Sequence, residues 1–263
     1  MNSRQALFTL IAVVVLAVAL GGGYLLWQRS QRPDLATLLA EVRAARATPT
    51  AEQTPAPTPT PDADALTATL TGGDIPYRLS IARTLAGRED IPVARRAEML
   101  AAALIGEVAA PSTDAPRIRD TYLPAEGVLR IALVRGLSEL GAEALPTVRQ
   151  AAEGASGLAR EHLLVALAYL GDADAFPAVR EVLRGSGDPV ARMDAARALG
   201  VAGDREAIPD LVGALEDPYR VEARDSLGAF TIYPVREQAV GALDALGVAV
   251  ARHEGGVFTV EEQ

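Results

Sequence analysis

Apolar residues recur three and four positions apart through most of the chain from residue 75 onward. They come in blocks of about ten to fourteen residues, and Gly, Asp and Pro separate the blocks. A spacing of three and four is the period of one face of an α-helix, and the separating residue types are typical of helix ends. No convincing alternation of apolar and polar residues indicates strands. The pattern therefore predicts an all-α fold of successive helices.

The helical blocks also resemble one another. Gly171-Asp172 followed by Phe176-Pro177 matches Gly203-Asp204 followed by Ile208-Pro209, at a spacing of 32 residues. Leu145-Pro146 stands 31 residues before Phe176-Pro177. Similarity at such a period predicts a repeat protein, in which each helical pair buries its apolar face against its neighbours.

The clearest repeat unit, 188–217, has a physical role for each of its parts. Asp188 can cap the first helix, and Pro189 suits its first turn. Gly203 can end that helix in a left-handed conformation. Small apolar residues on the first helix allow close approach of a neighbour, and the second helix buries a stripe of larger ones. Asp217-Pro218 predicts the same helical start for the next unit.

This type of unit resembles a HEAT repeat, in particular the short HEAT-like repeat first associated with phycobilisome lyases. The resemblance implies an α-solenoid of about five helical hairpins within residues 66–250, and it implies that the second helix of each hairpin lines a concave face. Residues 111–127 depart from the pattern and predict a loop or insertion, which leaves the number of units open by one. The units lie near 75–108, 123–153, 158–187, 188–217 and 218–247.

The beginning of the chain predicts a membrane anchor. After a short tail at 1–5, residues 6–27 contain no charged side chain and would extend roughly 33 Å as a helix, enough to cross a hydrocarbon core of about 30 Å. A cleaved signal peptide is the alternative, with a small-residue cleavage site at 17–19. The apolar run continues well past that site, so we favour a transmembrane helix.

Two further segments separate the predicted span from the repeats. Residues 28–46 predict a juxtamembrane amphipathic helix, and residues 47–65 predict a disordered linker rich in Pro and Thr. Arginines that follow the span favour a cytoplasmic location of the repeats. The linker instead resembles the stalks that hold domains outside a bacterial membrane. We expect a single-pass protein of the cell membrane with extracytoplasmic repeats and a C-terminal tail at 251–263.

Composition narrows the classes of partner. The chain has 263 residues and a formal net charge of −9, with 25 basic residues, all of them arginine, against 34 acidic ones. So acidic a chain repels phosphate backbones, which argues against nucleic acid as a partner. It contains no cysteine, which excludes disulfides and thiolate-bound metals. We expect a protein or peptide partner, and the oligomeric state is left open.

The residues that carry chemistry in other proteins predict no catalytic, cofactor or metal site here. His162 and His253 are the only histidines, and His162 is expected to be an ordinary residue in the first turn of a helix. HEAT-like di-iron hydroxylases hold their metal with several His-Glu pairs, whereas this chain has one such dipeptide, at 253–254. The motifs of a nucleophile elbow, a phosphate-binding loop and a zinc protease are absent from the sequence.

Arg149 and Arg180 are the sharpest candidates for partner binding. Each follows the proline of its repeat by three residues, so both should project alike from successive second helices. A pair of arginines at this spacing would form a ladder for an acidic peptide on the concave face. Ion pairs within the solenoid, formed with acids such as Glu153 and Glu181, are the alternative.

Together these patterns predict a membrane-tethered module for protein interaction or scaffolding that is not an enzyme. Stacked hairpins make an extended binding surface, and the linker gives that surface reach. The alternative is an enzyme or enzyme accessory related to the HEAT-like lyases, which would need a pocket with convergent polar groups. A purely structural spacer or self-assembling element is the third interpretation.

Overall fold

The computed structural model describes residues 62–110, 125–225 and 228–261. Several predicted segments lie outside the described residues: the tail at 1–5, the transmembrane helix at 6–27, the juxtamembrane helix at 28–46, residues 47–61 of the linker and residues 111–124 of the irregular segment. Of the helices in the described ranges, none is both long and apolar enough to cross a membrane.

Ten α-helices and four short strands make up most of the described part of the chain. The helices are α1 (Ala63–Gly72), α2 (Ile75–Thr84), α3 (Val93–Ala109), α4 (Ala125–Glu139), α5 (Leu145–Gly154), α6 (Gly157–Tyr169), α7 (Phe176–Gly185), α8 (Pro189–Ala202), α9 (Ile208–Ala214) and α10 (Pro234–Ala245). The strands are β1 (Val221–Asp225), β2 (Gly228–Ile232), β3 (Val250–His253) and β4 (Val257–Val260).

The helices α2 to α9 alternate between two layers. In the first, called the A layer here, α4 packs against α2 and α6, and α6 packs against α8. In the second, called the B layer, α3 packs against α5 and α7 packs against α9. Each B helix also packs on the A helix of the following hairpin, so every hairpin depends on its neighbour for burial. This is the arrangement of the predicted helical solenoid.

The capping residues have the roles that the sequence predicts for them. The Asp188 carboxylate accepts a hydrogen bond of 2.7 Å from the backbone N–H of Val190, which caps α8. Gly203 ends α8 with φ 75° and ψ 24°, a left-handed conformation that glycine adopts without steric cost. Asp204 then caps the short 3₁₀ turn, Arg205–Ala207, that leads into α9.

The interior of the solenoid is built mainly from leucine and alanine. In α8, Ala195, Ala196 and Ala198 are completely buried, which lets the flanking helices approach closely. Leucines fill the space between the layers, and those with essentially no exposure are Leu70, Leu85, Leu100, Leu104, Leu129, Leu133, Leu137, Leu163, Leu199, Leu211 and Leu243.

The fifth predicted hairpin, 218–247, needs a correction in its first half. Asp217-Pro218 does not begin a helix there; β1 and β2 pair antiparallel instead, with Val221 opposite Ile232. The strands are only five residues long and Gly228 has φ 141°, a conformation that residues other than glycine rarely adopt. Strands this short show too little alternation to be recognised in the sequence. The described ranges therefore contain four helical hairpins, and α10 stands alone as the helix of the fifth unit.

The helix α10 packs mainly against α8 and so extends the A layer. Gly200 of α8 makes this contact possible, since a Cβ atom at that position would lie 2.6 Å from both Cα and Cβ of Ala242. The predicted C-terminal tail, 251–263, also contains regular structure, because β3 and β4 pair antiparallel with Val250 opposite Val260.

Candidate partner-binding site

The structure places Arg149 and Arg180 at equivalent positions of successive B helices, α5 and α7. Each lines a shallow groove beside the next hairpin, with volumes of about 300 Å³ for Arg149 and about 350 Å³ for Arg180. The two arginines thus share the repeat-related placement that their spacing predicts.

Arg149 bonds to the next hairpin through both arms of its guanidinium group. Its Nε and Nη2 atoms donate to the two carboxylate oxygens of Asp172 at 2.6 and 2.7 Å. This side-chain hydrogen bond holds the pKa of Asp172 below its ordinary value. Asp172 is nearly fully buried and also caps the 3₁₀ turn before α7, whereas the Arg149 side chain is 47% exposed. The pair joins α5 to the turn between α6 and α7. The turn between the two helices of a hairpin is called its corner here.

Arg180 makes the corresponding connection one repeat further on. Its Nη1 atom lies 2.8 Å from a carboxylate oxygen of Glu206 and 3.7 Å from one of Asp204, the corner acid of the next hairpin. Only 15% of its side chain is exposed. The acids that engage the two arginines are therefore those of the next repeat, rather than Glu153 and Glu181. Partner binding by Arg149 and Arg180 stays a prediction.

A third groove, called the A-layer groove here, lies among helices of the A layer and has a volume of about 430 Å³. Its apolar part is formed by Val128, Ile131 and Ala132 of α4 and by Met193 of α8. Each of these side chains keeps between 7% and 9% exposure, in contrast to the fully buried leucines beside them. The groove thus exposes a thin apolar strip to solvent.

The polar lining of the A-layer groove is dominated by arginine. Arg83 of α2 and Arg135 of α4 are exposed, and among the described residues neither forms an ion pair or a side-chain hydrogen bond. Glu139 and Gln238 complete the polar lining. The polar lining thus contains two arginines without an ion pair and one carboxylate, beside the apolar strip.

Buried polar groups lie within the same layer, and sequence reasoning did not single them out. Asp194 of α8 is 2% exposed and accepts a hydrogen bond of 2.8 Å from the Tyr169 hydroxyl of α6. Burial raises the pKa of Asp194 to about 6, against the opposing effects of Tyr169, Arg135 and Arg197. Its position could have been found, because Asp194 follows the buried Val190 by four residues and so shares its helical face.

His162 of α6 differs from its prediction as an ordinary residue of a helix start. It is completely buried, and neither ring nitrogen has a hydrogen-bond partner within the described ranges. Burial is the main reason that its pKa is lowered to about 4, and the nearby Arg130 guanidinium lowers it further. Arg130 itself bonds to Asp188 at 2.6 Å, which connects α4 to the start of α8. His162 is thus a neutral interior side chain at ordinary pH.

The described part of the chain contains no metal site, because no three of its His, Asp or Glu side chains lie close enough together to hold an ion.

No curated protein matches the chain significantly. A family model described as HEAT repeats matches residues 145–229, which run from the start of α5 into β2. This stretch, which contains the repeat-related arginines and the corner acids that they bond to, is thus similar to HEAT repeats.

Proposed function

We propose that this chain is a membrane-tethered module that binds a protein or peptide partner and has no catalytic activity of its own. In this proposal the segment at 6–27 spans the membrane once and the linker gives the repeats reach. The linker predicted at 47–65 is too long by three residues, because α1 begins at Ala63. The repeats present the binding surface on the extracytoplasmic side.

The stacking of the hairpins is the observation that carries this proposal. HEAT repeats generally mediate protein interaction or scaffolding, and residues 145–229 are similar to them. Because each hairpin packs mainly on its neighbours, the stack offers long helical surfaces with grooves between successive helices. Surfaces of this kind bind extended segments of other proteins without further chemistry.

Crosslinking in native membranes tests the proposal. The full chain, carrying an affinity tag, is crosslinked and purified beside a version that ends before residue 66. We expect a protein adduct that depends on the repeats. Identical adducts from both versions would contradict the proposal, because the membrane segment alone would then account for the association.

A further inference from the structure

We infer that the A-layer groove is the partner-binding surface and that it takes an acidic peptide segment carrying a large apolar side chain, an inference that rests on the proposed function. It moves the site from the B-layer arginines to the opposite set of helices. Three features support it: the unpaired arginines of the groove, the apolar strip, and the charge of the whole chain.

Three exposed arginines of the A layer differ from the arginines of α5 and α7. In the B layer, Arg149, Arg180 and Arg184 each bond to an acid of the next hairpin at 2.6 to 2.8 Å. In the A layer, Arg83, Arg135 and Arg197 are all exposed, and none has a carboxylate within 4.0 Å in the described part of the chain. Other A-layer arginines are also engaged, because Arg130 bonds to Asp188 at 2.6 Å and Arg192 to Asp217 at 2.7 Å. Arg83 and Arg135 are therefore the arginines of the groove that remain available to a ligand.

This availability is unexpected in so acidic a chain. Acidic residues outnumber basic ones by 34 to 25, so an exposed arginine has many acids to pair with. Arg135 and Arg197 both act electrostatically on Asp194, but that carboxylate is buried and bonded to Tyr169 instead. The lining of the groove therefore carries two arginines against one carboxylate on a molecule that is negative overall, and such a site attracts a negatively charged ligand.

The apolar strip defines the ligand further. Val128, Ile131 and Met193 keep a small exposure between the arginines. A volume of about 430 Å³ lies in the range of roughly 300 to 1,000 Å³ that binding pockets occupy. A large apolar side chain of the peptide would fill the strip. The carboxylates of the acidic residues on either side of it would then lie near Arg83 and Arg135. A polyphosphate could bond to the arginines but has no apolar group to fill the strip.

Fluorescence anisotropy with synthetic peptides tests the inference on the full chain in detergent. The probe is a short peptide of glutamates flanking leucines, compared with one version in which Gln replaces every Glu and another in which Ser replaces every Leu. We expect the first peptide to bind. The affinity of each altered peptide should be lower by about tenfold or more. An RNA oligonucleotide that bound more tightly than the first peptide would overturn the inference, as would failure of that peptide to bind.

Charge reversal locates the binding surface. The double variant Arg83→Glu/Arg135→Glu should weaken binding of the glutamate-leucine peptide by about tenfold or more. The matched control is Arg160→Glu/Arg220→Glu, which makes the same change of charge at two exposed arginines outside the groove. Control and groove variants should melt at the same temperature as the unaltered chain. Equal loss of binding in both variants would contradict the inference, because net charge would then be the cause.

Site-specific crosslinking separates this inference from the proposed function. The chain has no cysteine, so Gln238→Cys in the groove or Val212→Cys on the B helix α9 provides one attachment point for a photoactivated crosslinker. In native membranes we expect the partner adduct from Gln238→Cys. An adduct from Val212→Cys alone would overturn the groove but leave the interaction module standing. Absence of any repeat-dependent adduct would overturn both.

Discussion

At the scale of single residues, the main finding is that two titratable side chains are buried in the A layer and make stability depend on pH in opposite directions. His162 is held neutral by burial, with its pKa lowered to about 4. Asp194 is held partly protonated near neutral pH, with its pKa raised to about 6. Both shifts have the same physical cause, the cost of placing a charge where water is excluded.

The folded-state pKa of His162 lies below its ordinary value of 6.5, so the unfolded chain takes up a proton first as the pH falls. Stability is therefore lost between about pH 6.5 and 4. The variant His162→Leu removes this loss, and its free energy of unfolding should gain about 2 kcal/mol relative to the unaltered chain on going from pH 7 to pH 5. Urea unfolding at the two pH values measures the difference. A difference that does not change with pH would contradict the burial of a neutral imidazole.

Asp194 predicts the opposite dependence. Its folded-state pKa lies above the ordinary value of 3.8, so stability is lost as the pH rises from about 4 to 6. Asp194→Asn removes this loss and can still accept the hydrogen bond from Tyr169. Relative to the unaltered chain, the variant should gain about 1 kcal/mol on going from pH 5 to pH 7. The exposed Asp174→Asn is the control, and it should show no such trend in the same urea experiments.

At the scale of secondary-structure elements, the last helix of the solenoid, α10, is held by its close approach to α8. The helix α10 lies against α8 at a distance that only glycine at position 200 permits. In the B layer, ion pairs run from α5 and α7 to the corner of the next hairpin. In the A layer, Gly200 allows α10 to approach α8, and the ion pair of Arg130 with Asp188 joins α4 to the start of α8. Charged side chains thus connect hairpins in both layers.

Substitution of this glycine should loosen α10. Gly200→Ala places a Cβ atom 2.6 Å from the backbone of Ala242, which cannot move aside without shifting the helix. We expect the free energy of unfolding to fall by about 1 to 3 kcal/mol. Gly213→Ala in α9 is the matched control, because a Cβ there meets nothing within 4 Å. That substitution should be neutral or stabilise the chain by up to about 1 kcal/mol. Equal effects of the two substitutions in thermal or urea unfolding would contradict this packing.

At the scale of the whole molecule, the proposed anchor and linker determine where the repeats can meet a partner. A chain without cysteine allows this to be measured directly. Glu222→Cys puts a thiol on the exposed strand β1, where the native side chain is 67% exposed. Ser3→Cys puts one in the predicted tail before the membrane segment. The two positions lie on opposite sides of the predicted span.

For the proposed orientation, a maleimide that cannot cross membranes should label Glu222→Cys in intact spheroplasts. It should label Ser3→Cys only after the membrane is permeabilised. Labelling of Ser3→Cys in intact spheroplasts with protection of Glu222→Cys would reverse the orientation. Loss of the Ser3→Cys thiol from the mature protein would instead identify a cleaved signal peptide.

Much of the helical architecture could be predicted from the sequence, because its signals are local. The caps at Asp188 and Gly203 and the apolar spacing of each helix depend on residues within a few turns of one another. The recurrence at 31 and 32 residues also predicted that the hairpins stack, since each repeated hairpin packs on a similar hairpin next to it. The prediction of a helix in the first half of the fifth unit was wrong, because Asp217-Pro218 gives the same local signal before a strand as before a helix.

The candidate site depends on distances between residues far apart in the chain. Sequence spacing placed Arg149 and Arg180 on equivalent helices, but it gave no information on the acids 23 and 26 residues further on that engage them. The A-layer groove combines Arg83, Arg135 and Gln238. Their side chains share one surface only because α2 packs on α4, α4 contacts α8, and α10 packs on α8.

The sequence by itself determined that the repeats are mainly helical, where helices such as 189–202 are capped, and that the hairpins recur, because hydrogen bonding and capping act over a few residues. Only the tertiary structure decided which arginines form ion pairs and which stay exposed beside an apolar strip. It also decided that His162 and Asp194 lie in the interior. Charge pairing and burial are properties of neighbours in space, and the packing of one hairpin on the next selects those neighbours.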